Sequence, residues 1–102
     1  MIEFFKYKRK TLSYPDLAVV VKRVFPESKV TPRGEGEKEF LLIALDKTTG
    51  AAVKIDHSKK AVLVQPITPK RSFIDSYLGA NQEPDEGFAK AIFRILKKEI
   101  TT

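Results

Sequence analysis

The chain has 102 residues, of which 42% are hydrophobic, and 19 Lys/Arg against 13 Asp/Glu give it a net charge of +6. That length and apolar content fit a single domain with one core and no need of covalent staples. Cysteine is absent, which excludes disulfides, thiolate metal sites and thiol nucleophiles, and one histidine, His57, is too little for an ordinary zinc or copper site within one subunit.

The positive charge is concentrated at the start. Residues 1–33 hold eight Lys/Arg against three acids, residues 34–67 five against five, and residues 68–102 six against five. A local positive field of this kind attracts phosphates and acidic surfaces. The longest apolar run, Phe40 to Leu45, has six residues, far short of a membrane span. Met1-Ile2-Glu3-Phe4-Phe5 places no basic segment ahead of its apolar residues, as a signal peptide does. The expectation is a cytoplasmic protein with no membrane contact. Scarce Met, Asn and Gln beside abundant Lys fit a thermophilic source, and equally the biased draw of a short chain.

Ile2 to Arg9 reads as extended, with Phe5 and Tyr7 on one side and Ile2 and Phe4 on the other. Ser13-Tyr14-Pro15-Asp16 then starts a helix, combining a capping residue, a first-turn proline and an acid at the positive end of the dipole. Leu17, Val20, Val21, Val24 and Phe25 recur at helical spacing until Pro26 ends it. Residues 28–37, with Pro32, Gly34 and Gly36, read as a loop carrying a short edge strand at Lys29–Thr31.

Lys38 to Asp46 is apolar on both alternating faces and predicts a strand covered on both sides. Lys47-Thr48-Thr49-Gly50 is a turn, with Gly50 available for positive φ. Ala51 to His57 alternates, Ser58-Lys59-Lys60 turns the chain, and Ala61 to Ile67 returns as a further strand. Thr68-Pro69 opens a short helix to Leu78, and Pro84-Asp85-Glu86 opens a last one. On that last helix Phe88, Ile92, Ile95 and Leu96 share one side, while Lys90, Arg94, Lys97 and Lys98 share the other. Glu99 falls on the apolar side, which predicts fraying or a partner at that end. The two Pro-Asp helix starts hint at an internal repeat, although shared start chemistry explains them more simply. The predicted fold is α+β: a three-stranded antiparallel meander, extendable by the N-terminal strand, packed on two or three helices.

Lys6-Tyr7-Lys8-Arg9-Lys10 sets four cations around an aromatic, which suits phosphates with Tyr7 stacked on a base. Lysines that keep an edge strand from pairing with other chains explain the same residues. The stripe Lys90, Arg94, Lys97 and Lys98 could follow a nucleic-acid backbone, but it is also what the wet face of a surface helix shows. Lys54 points outward from the middle strand and could enter a groove with it.

Asp56-His57-Ser58 contains the residue types of a catalytic triad, but adjacent strand residues point to opposite faces and do not converge. Arg33-Gly34-Glu35-Gly36-Glu37 lacks the Lys and Ser/Thr of a phosphate loop. Glu35, Glu37 and Glu39 have no pocket in the sequence to make them a Mg²⁺ or acid–base site. The expectation is therefore a non-enzymatic module without cofactor or metal. Its first-ranked partner is a protein or a second copy, held by a groove or a sheet edge with Phe5, Tyr7 and Tyr77 as anchors. The alternative is a nucleic acid held by Lys6, Tyr7, Lys8, Arg9, Lys10, Lys54, Lys90, Arg94, Lys97 and Lys98. Against the nucleic acid stands the apparent lack of an open aromatic platform, since the meander strands are apolar on both faces.

Overall fold

Four strands run back and forth as a meander, and the N-terminal strand joins them at the far edge. The computed structural model describes residues 2–68 and 86–101. The elements are β1 (Glu3–Lys6), α1 (Tyr14–Val24), β2 (Lys29–Arg33), a 3₁₀ turn (Gly36–Lys38), β3 (Phe40–Ala44), β4 (Gly50–Asp56), β5 (Ala61–Ile67) and α2 (Glu86–Thr101). The protein is α+β: one five-stranded sheet in the order β1-β5-β4-β3-β2, with every neighbouring pair antiparallel, and two described helices. The three-stranded meander read from the sequence is thus one strand short, because Lys29–Arg33 pairs along its whole length with Phe40–Ala44. The helix expected from Thr68 to Leu78 lies outside the described residues.

Both helices lie on the same face of the sheet. α2 packs on β1, β5 and β4, and α1 on β2 and β3. Alternation decides what meets them. Phe5, Val62, Val64, Ile55, Val53, Leu41 and Ile43 point to the helices and join Leu17, Val21, Ile92 and Leu96 in one core. Leu17, Val21, Ile43, Val53, Val62, Ile92 and Leu96 lose all contact with solvent, so truncating one of the leucines there costs about 2–5 kcal/mol. The helices also meet each other. Phe25 meets Phe88 edge-on at 5.2 Å, and Arg23 lies 3.9 Å from Glu99. That exposed ion pair contributes little energy, but it gives Glu99 a partner on α1 and the helix continues to Thr101.

The helix starts and turns follow local chemistry. The Asp16 carboxylate accepts from both the N–H (3.0 Å) and the hydroxyl (2.9 Å) of Ser13, tying down the first turn of α1. At its other end Ser28, fully buried, donates its hydroxyl to the Phe25 carbonyl at 2.7 Å and turns the chain into β2. Gly50 does not supply the positive φ expected of the β3–β4 turn. It is buried as the first residue of β4, and Asp46 closes the turn by accepting from Thr48 N, Thr48 Oγ1 and Thr49 N. Those bonds, the Thr48 amide first, hold the Asp46 carboxyl below the ordinary carboxylate value. The β4–β5 turn uses the same device: Asp56 accepts from Ser58 Oγ and Lys59 N, and Lys60 takes the left-handed backbone at φ 51°.

Tyr14 fastens the helix layer to the sheet. Its hydroxyl donates to the Glu39 carbonyl at 2.8 Å and accepts from the Ile55 N–H at 3.0 Å. Burial, offset in part by the Ile55 bond and reinforced by the charge of Glu39, raises its pKa above the ordinary 10.0. The folded protein therefore keeps the phenol proton after the unfolded chain has released it. The linked stability is complete below the unfolded value and falls as pH climbs through the folded one. Tyr14→Phe is expected to lose about 1–3 kcal/mol at neutral pH, because two part-buried backbone groups go unmet. Urea denaturation at neutral and alkaline pH checks this: the gap between wild type and variant narrows above pH 10, and a constant gap contradicts the assignment.

Candidate binding surface

The second face of the sheet, opposite α1 and α2, gathers the exposed groups that need explaining. From β1 to β2 it presents Phe4 and Lys6, then Leu63, Gln65 and Ile67, then Ala52, Lys54 and Asp56, then Phe40 and Leu42, and finally Lys29, Thr31 and Arg33. Phe4 is 61% exposed and the neighbouring Ile2 58%. Phe40, Leu42 and Ala44 are half-buried, so the expectation of a β3 covered on both sides is corrected. The side-by-side neighbours on β2 and β4 give these residues part of their cover, while the helices pack only on Leu41 and Ile43.

A cavity of about 410 Å³ opens on this face. Phe40, Ala52, Leu63 and Ile67 make its apolar wall, and Lys38 and Lys54 bring the cations. A second, more polar cavity of about 630 Å³ shares Lys54 and is bounded by Tyr14, Glu37, Glu39, Asp56 and His57. In it Asp56 and Ser58 of the apparent triad are bonded to each other within the hairpin. Asp56 is held below the ordinary carboxylate value chiefly by the Ser58 hydroxyl, then by the Lys59 N–H, and is a poor proton acceptor there. Among the described residues no cluster of three His, Cys, Asp or Glu side chains could hold a metal, and no helix is long and apolar enough to cross a membrane.

The residues singled out by sequence divide between the two faces. Phe5 and Tyr7 are core residues, 4% and 5% exposed, which corrects their expected role as anchors and takes Tyr7 away from any base. Phe5 stands edge-on to Phe93 at 5.8 Å. Lys6 lies on the second face, and Lys8, Arg9 and Lys10 are exposed in the segment between β1 and α1. Lys54 is exposed near the middle of the second face. Lys90, Arg94, Lys97 and Lys98 line the outer side of α2, on the other side of the molecule. Lys90 is 4.0 Å from Glu86, and the Lys97 ammonium sits over the Phe93 ring at 5.8 Å. Lys6 and the basic helix stripe therefore lie on opposite sides of the sheet. Tyr77 lies outside the described residues.

Sequence reasoning missed Phe4, Arg33, Lys29 and Phe40 as surface groups. Alternation in Ile2–Tyr7 already put Phe4 on the side opposite Phe5 and Tyr7, whereas the register that brings Arg33 beside Phe40 has no sequence signal. No family model matches the chain, and no curated protein and no solved structure matches it.

Gly34 positions the rim of this surface. It adopts φ +74°, and a Cβ there would clash with the Lys38 carbonyl, which the turn folds directly against it. Gly34→Ala is expected to destabilise the protein by more than about 1 kcal/mol and to displace Lys38 and Phe40. Thermal melting together with amide shifts for residues 38–42 checks this; an unchanged melting temperature would show that the turn does not need glycine.

Proposed function

We propose that the chain is a non-enzymatic binding module whose working surface is the sheet face opposite the helices and whose partner is anionic. The observation that carries this is the charge of that face. Its strands present Lys6, Lys29, Arg33 and Lys54 against one carboxylate, Asp56, which is already committed to Ser58 and Lys59. Exposed Phe4 and Ile2 add apolar contact area beside these cations. Such a mixture favours a partner with both negative charge and flat or apolar groups.

Retention on immobilised heparin, a polyanion with no bases, tests the surface without presuming the partner. Arg33→Glu combined with Lys54→Glu is expected to lower the eluting salt concentration sharply, and Lys90→Glu combined with Arg94→Glu to lower it far less. Failure of the native protein to bind, or dependence on the helix pair instead, would overturn the reading.

A second reading keeps a protein partner, or a second copy, at the β1 edge. β1 is an outer strand with no proline and with Phe4 exposed, whereas the other outer strand, β2, carries Pro32 and lacks that donor. It implies a concentration-dependent dimer in sedimentation equilibrium that Phe4→Lys dissociates. A monomer at all concentrations rules out self-pairing through this edge.

A further inference from the structure

We infer that the anionic partner is single-stranded nucleic acid laid across the sheet, an inference that rests on the binding reading above. One row of side chains crosses all five strands on that face. Phe4 stands beside Leu63, and Leu63 beside Lys54. Arg33 stands beside Phe40. The register that pairs Leu41 with Val53 carries one step further to set Phe40 against Lys54, and both line the same cavity. The row thus reads aromatic, aliphatic, cation, aromatic, cation.

The spacing matches a repeating polymer better than a small ligand. With neighbouring strands about 4.8 Å apart, the Phe4 and Phe40 positions are about 14 Å apart, with Lys54 between them. Aromatic side chains on a sheet stack on unpaired bases, and cations between them meet the phosphates that join those bases. The cavity of about 410 Å³ beside Phe40 gives an unstacked base a place to enter, with Lys38 and Lys54 at hand for its phosphate.

A duplex fits this row poorly. Its bases hide their faces in the stack, so Phe4 and Phe40 would find only sugars and base edges. An acidic peptide would satisfy the cations, but it carries no regular series of flat groups to match two separated rings. The row offers stacking and charge and no array of directed hydrogen-bonding groups, so recognition is tolerant of sequence. The shared chemistry covers RNA and DNA alike, and the experiment separates them.

Fluorescence anisotropy with labelled oligonucleotides of about 10 nucleotides, within the span of one binding domain, reads the outcome. Single-stranded RNA, single-stranded DNA and the matching duplexes are titrated at about 50 and 200 mM salt. Single strands are expected to bind more tightly than duplexes. Phe4→Ala is expected to weaken them by about 5- to 150-fold, the cost of one stacked base. Phe4 is exposed, so this variant keeps the fold, and Phe4→Trp, which keeps a stacking face, is expected to retain binding. Lys54→Gln is expected to reduce the steepness of the salt dependence by about 0.7 in log–log slope. Equal affinity for duplexes, or indifference to Phe4→Ala, would overturn the inference. If oligonucleotides fail to bind while heparin retention still depends on Arg33 and Lys54, the inference falls and the anionic-partner reading stands. If heparin retention is also absent, both fall.

Discussion

Pairing between the first strand and the last strand of the meander fixes most of what the molecule can do. β1 lies antiparallel to β5, with Phe5 opposite Val62 and Phe4 opposite Leu63. That register sends Phe5 into the core against Phe93 and leaves Phe4 on the outer face. A slip of one residue would exchange them, burying Lys6 beneath the helices and turning the large apolar groups Phe5 and Tyr7 outward. The pairing also closes a long loop of chain, because α1 and three strands lie between the partners. Its loop-closure cost is met by the apolar surface that Phe5, Tyr7 and Leu12 bury. The Tyr7 N–H extends the pairing past the strand by donating to the Lys60 carbonyl at 2.9 Å.

With both helices on one face, the sheet separates two tasks. The helix side holds the core, and the only charge its strands contribute is Glu3 at the edge. The opposite side holds the cations of β1, β2 and β4. The basic stripe on α2 lies on the helix side, where Lys90 contacts Glu86 and Lys97 contacts Phe93. Tyr14 links the two sides, since its hydroxyl joins the start of α1 to the backbone at Glu39 and Ile55, next to Phe40 and Lys54. Distortion of the α1 start would be felt at the candidate surface through those two bonds.

Much of this architecture was legible in local patterns. Alternation in Ile2–Tyr7 separates the two sides but does not say which is buried, so Phe5 and Tyr7 read as anchors and not as core. The Ser13–Asp16 segment marks the helix start, and β5 runs over the predicted Ala61–Ile67. What stayed hidden depends on contacts between distant residues. Lys29–Arg33 contains a proline and strong charge, so its propensity argues against a full strand, and only pairing with β3 makes it one. The apolar residues on both faces of Phe40–Ala44 resembled a doubly covered strand, because a sequence cannot distinguish burial beneath a layer from partial shielding by lateral neighbours. The same ambiguity concealed the candidate surface. Phe40, Lys54 and Arg33 are distant in sequence and become neighbours only through two registers.

A sheet that exposes aromatic and aliphatic groups is ordinarily at risk of sticking to its own copies. Here the cations act against that outcome and for a different one. Two such faces brought together would place Lys6, Lys29, Arg33 and Lys54 of one chain against the same four residues of another, while the strands contribute one carboxylate to that face, Asp56. Burying like charges together costs far more than the small apolar area returns. An anionic polymer meets the opposite balance: its charge is neutralised, its counterions are released, and the exposed rings become contact area. On the proposed reading the same four residues would select by sign, rejecting a second basic face and admitting a flexible polyanion with flat groups.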